Sequence, residues 1–131
     1  MTGSPSASSS FPKSKRLLKH ADFRRVYDSG RRQFTGNMTV FFLRRSEPEA
    51  EAGMRVGFTV GKVLGGAVER NRIKRRMREA VRLSGQQCAA PVDVVFNPRK
   101  SLLTLPWAEV VSEVTRGLKL AVQRARPAET K

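Results

Sequence analysis

The chain has 131 residues, 26 of them Lys or Arg against 11 Asp or Glu, for a formal net charge of +15. That length favours one domain with a modest core, a hydrophobic fraction of 39% excludes wholesale disorder, and so large a self-repelling charge calls for a polyanionic partner. A membrane surface is disfavoured by the lack of a long apolar run or a lipidation signal, one cysteine (Cys88) excludes an internal disulfide, and one histidine (His20) excludes a two-histidine metal site.

Residues 1–13 are rich in Ser, Pro and Gly, lack the apolar segment of a secretory signal, and are expected to form a disordered tail. With the cysteine usage, this points to a reduced, cytoplasmic protein. Residues 14–125 are expected to form the folded domain, and 126–131 a flexible C-terminal tail. Within the domain, residues 15–30 have helical spacing: Phe23, Val26 and Tyr27 fall at i, i+3 and i+4 and share a face, with Gly30 as a stop. Residues 38–43 form an apolar, β-branched run that fits a strand. Residues 46–53 are an acidic turn. Residues 55–61 alternate, with Val56, Phe58 and Val60 on one side and Arg55, Gly57 and Thr59 on the other. Gly61, Gly65 and Gly66 break this strand, and a cationic helix is expected over 67–83. A third strand covers 92–96. A last helix covers 106–124, with Pro106 near its first turn and Trp107, Val110, Val111, Val114, Leu118 and Ala121 as its apolar set. The order helix, strand, strand, helix, strand, helix predicts a small α/β layer structure. The strands flanking the cationic helix should run parallel, because a helix is the usual crossover between parallel strands.

The cationic helix is the most informative segment. At about 100° per residue, Ile73, Met77, Ala80 and Val81 gather on one side, and Asn71, Arg75, Arg78 and Arg82 on the other. Arg70 and Arg76 lie at the boundary, where long stems run along apolar surface and reach out. Arginine outnumbers lysine here, and a guanidinium grips a phosphate with two hydrogen bonds where an ammonium acts as a point charge. The glycine-rich lead-in adds backbone N–H groups and a positive dipole end. A charge run is ordinarily a solvated face. Here acidic residues are nearly absent from the exposed side, so nucleic-acid binding is the stronger reading. The helix alone does not separate DNA from RNA.

Other motifs fall away on inspection. Gly57-Phe58-Thr59-Val60-Gly61-Lys62 approaches a P-loop but is one residue short between its glycines, and Val63 stands where a metal-binding Ser or Thr is needed. His20 has no partner for general-base work. Glu47, Glu49 and Glu51 read as a solvated loop. No set of nucleophile, base and orienting group is visible, so no catalytic residue and no metal ligand is assigned.

The segment Gly57-Phe58-Thr59-Val60-Gly61-Lys62, followed by Ala67-Val68-Glu69-Arg70-Asn71-Arg72-Ile73-Lys74-Arg75, is very similar to the signature of the bacterial ribonuclease P protein family. Asp22-Phe23-Arg24-Arg25-Val26-Tyr27 with Gly30 resembles the family's first helix, and Asp93-Val94-Val95-Phe96 its third strand. The chain departs from the family at Gly61, usually Ser, at Val63, often a second Lys, and at Pro98, usually a small residue. The resemblance runs over about residues 17–124. It implies an α+β sandwich with a small mixed sheet, like a domain of a small-subunit ribosomal protein, with a left-handed βαβ crossover against the general preference. It also implies an activity, removal of the 5′ leader from precursor tRNA. The hydrolysis is performed by a catalytic RNA with Mg²⁺ held mainly by that RNA, in a complex expected to contain one protein per RNA. The implied RNA-binding residues are Lys62, Arg70, Asn71, Arg72, Lys74, Arg75, Arg78 and Arg82, with packing as the alternative role of Arg72 and Lys74. Phe23, Tyr27 and Phe41 match the aromatic positions of the family's leader-binding cleft. Rings beside cations suit single-stranded RNA, because every base has a face to stack on. Burial in the core is the alternative for Phe23 and Phe41, whereas the Tyr27 hydroxyl favours a wet edge. Trp107 is expected in the core.

Two other function classes compete. A structural, ribosomal-type RNA-binding protein has the same composition and is separated only by the signature. A DNA-binding regulator is disfavoured because strands flank the cationic helix where a helix-turn-helix partner would be needed.

Overall fold

The computed structural model describes residues 20–45, 53–84 and 91–125. Both expected tails, the start of the first helix, Glu47, Glu49, Glu51 and Cys88 lie outside the described residues. The elements are α1 (His20–Ser29), β1 (Arg31–Phe34), β2 (Met38–Arg44), β3 (Arg55–Phe58), a 3-10 turn (Lys62–Leu64), α2 (Ala67–Leu83), β4 (Val92–Pro98), a second 3-10 turn (Lys100–Leu103) and α3 (Trp107–Arg124). The strands form one mixed sheet in the order β1-β2-β4-β3. β2 is antiparallel to both β1 and β4, while β3 and β4 are parallel across the α2 crossover, as expected.

Strand β1 was not anticipated. Its residues, Arg-Arg-Gln-Phe, are mostly exposed and show no apolar alternation. It is an edge strand, and its place comes from pairing with β2 and from α3: Arg31 donates to the Arg124 carbonyl at 2.8 Å, and Arg124 to Gln33 Oε1 at 2.7 Å.

The period-two alternation of β2 sorts the two faces of the sheet. Met38, Val40 and Phe42 point into the main core with Val92, Val94 and Phe96 of β4 and Val56 of β3. On this face lie α2, through Ile73, Met77, Ala80 and Val81, and α3, through Val110, Val114, Leu118 and Ala121. Fully burying a side chain such as Ile73 or Met77 contributes about 2 kcal/mol, so one apolar stripe anchors α2 and leaves its far side free. Trp107 is a correction to the expected core: at the first turn of α3 it is 38% exposed, with the Arg76 guanidinium 5.7 Å from its ring centroid.

The opposite face carries α1. Val26 and Val95 are buried at its centre, with Phe23, Tyr27, Phe41 and Leu43 packed around them. Helix α1 ends against the sheet at Gly30, where a Cβ would stand 2.5 Å from the carbonyl oxygens of Val26 and Phe42. Only glycine allows that approach.

Candidate RNA-binding interface

The first surface is the outer side of α2. Gly65, at φ +130°, turns the chain into the helix, and the Glu69 carboxylate accepts the Gly66 N–H at 3.1 Å. With the inner stripe buried, Asn71, Arg72, Arg75 and Arg78 are exposed and Lys74 is half-buried. Lys62 is exposed in the 3-10 turn just before the helix. Among the described residues, no carboxylate forms a salt bridge with Lys62, Arg70, Arg72, Lys74, Arg75 or Arg78. Arg70 is half-buried, and its Nε is buried with no hydrogen-bond partner among the described residues.

Two arginines of α2 behave differently. Arg82 is bonded to Glu79 one turn earlier, through both guanidinium and carboxylate. That hydrogen bond holds the Glu79 carboxyl below its ordinary range and raises Arg82 above its own. Arg76, at the boundary, spans to the second 3-10 turn, donating to the carbonyls of Leu102 (2.9 Å), Leu103 (2.8 Å) and Leu105 (2.5 Å). It ties α2 to the start of α3 and adds little free charge to the outer face.

The second surface is the sheet face beside α1, where the family resemblance places a leader-binding groove. The Tyr27 and Phe41 rings meet edge to face, with centroids 4.8 Å apart at 88°. The Tyr27 hydroxyl donates to Asn97 Oδ1 at 3.0 Å and lies 2.6 Å from Thr59 Oγ1. Its single proton goes to Asn97, so the Thr59 hydroxyl donates to Tyr27. Tyr27 is thereby held in one orientation at the groove wall. Phe23 and Phe41 are half-buried, so each packs on Val26 and Val95 while leaving part of its ring open. Thr59 and Asn97, which hold the Tyr27 hydroxyl, were not singled out in the sequence. Their signal was their place on the polar side of strand alternations, one on the β3 extension and one on β4.

Farther along the same sheet face lies a cluster of paired charges. Asp93 is fully buried on β4. It accepts a hydrogen bond from Arg45 and two from Arg55, the latter at 2.9 and 2.8 Å. Arg25 of α1 lies 3.9 Å from Asp93 and 3.2 Å from Asp22, so the cluster fixes the helix to the sheet.

Among the described residues, no group of three or more His, Cys, Asp or Glu side chains could hold a metal ion. Of the carboxylates near the two surfaces, Asp22, Glu79 and Asp93 are held by arginines and Glu69 by a backbone amide, while Asp28 beside Tyr27 is exposed.

A mixed four-stranded sheet, a helix with an open guanidinium face and a sheet face of half-buried rings define a small basic α/β protein with a surface suited to a polyanionic partner. The profile of the ribonuclease P family matches residues 11–122. The chain is 38% identical over 114 residues to the ribonuclease P protein component of Desulforapulum autotrophicum, covering 87% of this chain and 94% of that one. It is 40% identical over 111 residues to that of Exiguobacterium, covering 85% and 90%. In solved structures its fold is similar to the RNase P protein of Staphylococcus aureus (TM-score 0.69, 28% identity, 83% of this chain and 96% of that chain) and to that of Thermotoga maritima (TM-score 0.66, 27% identity, 79% and 94%). The chain belongs to the ribonuclease P protein family. Among the described residues, no helix is long and apolar enough to cross a membrane.

Proposed function

We propose that this chain, as the protein subunit of the endoribonuclease ribonuclease P, binds the catalytic RNA through the outer face of α2 and the 5′ leader of precursor tRNA through the groove beside α1. The observation that carries this reading is the outward row Arg72, Arg75 and Arg78, exposed and without salt bridges to carboxylates among the described residues. Guanidiniums left unpaired on one helix face are stabilised when they neutralise closely spaced phosphates. Lys62, Arg70, Asn71 and Lys74 extend that surface, and Arg82 joins it if its bond to Glu79 is exchanged for phosphate. In the groove, Phe23, Tyr27 and Phe41 offer ring faces and edges to unpaired bases. Residues 14–125 form the working domain, with one protein per RNA. The chemistry belongs to the RNA, with Mg²⁺ held there.

Reconstitution tests this. At low Mg²⁺, the protein mixed with a bacterial ribonuclease P RNA and precursor tRNA should give 5′-leader cleavage that neither subunit gives alone. At high Mg²⁺, cleavage by the RNA alone should recover. A protein that binds the RNA but does not stimulate cleavage would favour the structural, ribosomal-type reading.

A further inference from the structure

Strand β1 places an aromatic ring where an edge strand is ordinarily kept polar. Phe34 is 51% exposed. It pairs directly with Thr39 of β2, which pairs with Asn97 of β4, the acceptor of the Tyr27 hydroxyl. Directly opposed residues share a face, so Phe34 lies on the groove side of the sheet, about 10 Å from Asn97 at two strand spacings. The Arg99 guanidinium carbon sits 4.5 Å from the Phe34 ring centroid. Arg32, exposed and opposite Phe41, lies on the same face. An isolated exposed phenylalanine needs no explanation. A ring with one guanidinium over it and a second arginine on the same sheet face, continuing a row that starts at Tyr27, does.

The hairpin that carries the ring is also held in place. Glu113 of α3 is buried, and its Oε2 accepts the Thr35 hydroxyl at 2.5 Å and the Asn37 N–H at 2.8 Å, while Oε1 accepts Asn37 Nδ2 at 2.9 Å. Asn37 in turn accepts the Arg99 N–H on its carbonyl at 2.9 Å and the Ser101 hydroxyl on Oδ1 at 2.7 Å. The β1–β2 hairpin that carries Phe34 and the segment that carries Arg99 are therefore locked to one residue, which is locked to one buried carboxylate. Fixing both partners beforehand lowers the ordering cost of binding a base there.

We infer that Phe34, clamped by Arg99, is a further stacking platform that takes one unpaired leader nucleotide beyond those held at Tyr27 and Phe41. The inference rests on the leader-groove reading above. The ring supplies a sequence-tolerant base contact, and Arg32 and Arg99 supply charge for the adjoining phosphates.

The test uses the reconstituted holoenzyme and precursor tRNAs whose unpaired leaders lengthen by one nucleotide at a time. For the wild type, affinity should rise with leader length and level off. Phe34→Ala should level off about one nucleotide sooner, with roughly tenfold weaker binding of the longer leaders and unchanged binding of the shortest leader and of the RNA subunit. Phe34→Trp should restore the wild-type profile. A Phe34→Ala profile that levels off at the wild-type length and height would overturn the platform while leaving the groove intact. A wild-type affinity indifferent to leader length would remove both.

Discussion

Arginine serves two opposite purposes in this molecule. Beside α1, Arg45 and Arg55 grip Asp93 while Arg25 reaches both Asp22 and Asp93, and the charges hold a helix to a sheet. On the far side of α2, Arg72, Arg75 and Arg78 stand exposed with no carboxylate paired to them among the described residues. The residue type is the same. The difference is set by which strand or helix position faces a buried aspartate. Net charge therefore does not measure the binding surface, since part of it is used internally to hold the architecture.

Removing the buried carboxylate is the strongest way to break this contrast. Asp93→Ala removes the buried carboxylate shared by Arg45, Arg55 and Arg25 and should cost about 3–5 kcal/mol of stability, read as a lower urea midpoint. A decrease of less than about 1 kcal/mol, the range of exposed pairs, would mean that the cluster is not structural. Arg76→Ala sharpens the contrast within a single helix. It deletes the bonds to Leu102, Leu103 and Leu105 and should cost about 2 kcal/mol. The salt dependence of RNA binding should stay as in the wild type, and a flatter dependence would move Arg76 to the binding set. The smallest effect belongs to Glu79 and Arg82. Because the folded Glu79 carboxyl titrates below its unfolded value, the pair's contribution is complete above the unfolded value and disappears as pH falls through the folded one. The pair is on the surface, so Arg82→Ala should leave the thermal midpoint at neutral pH nearly unchanged and remove only that acid-side dependence. Its effect on RNA binding should be smaller than that of Arg75→Ala.

The sequence showed most of this where periodicity is strong. The limits of α2 and its buried stripe of Ile73, Met77, Ala80 and Val81 were legible because a single apolar face repeats along the helix. The parallel pairing of β3 with β4 followed from the helix between them. Strand β1 was invisible because an edge strand of Arg-Arg-Gln-Phe buries almost nothing and takes its order from long-range partners. The same reason hid the pairing of Phe34 with Arg99, which are far apart in the chain and meet only through the sheet. Trp107 was misread because apolar character at helical spacing does not say where the core ends, and this residue lies past the edge. The roles of Arg76 and Arg82 could not be told from that of Arg75, because what separates them is the carbonyl or carboxylate within reach.

The salt dependence of binding to a bacterial ribonuclease P RNA tests the central claim most directly. Removing one phosphate-binding cation should flatten the slope of log K against log salt by about 0.7–0.9. The double variant Arg75→Ala/Arg78→Ala should therefore lower it by about 1.4–1.8, with an unchanged urea midpoint. A slope equal to the wild type's would show that the outer face of α2 does not meet the RNA backbone.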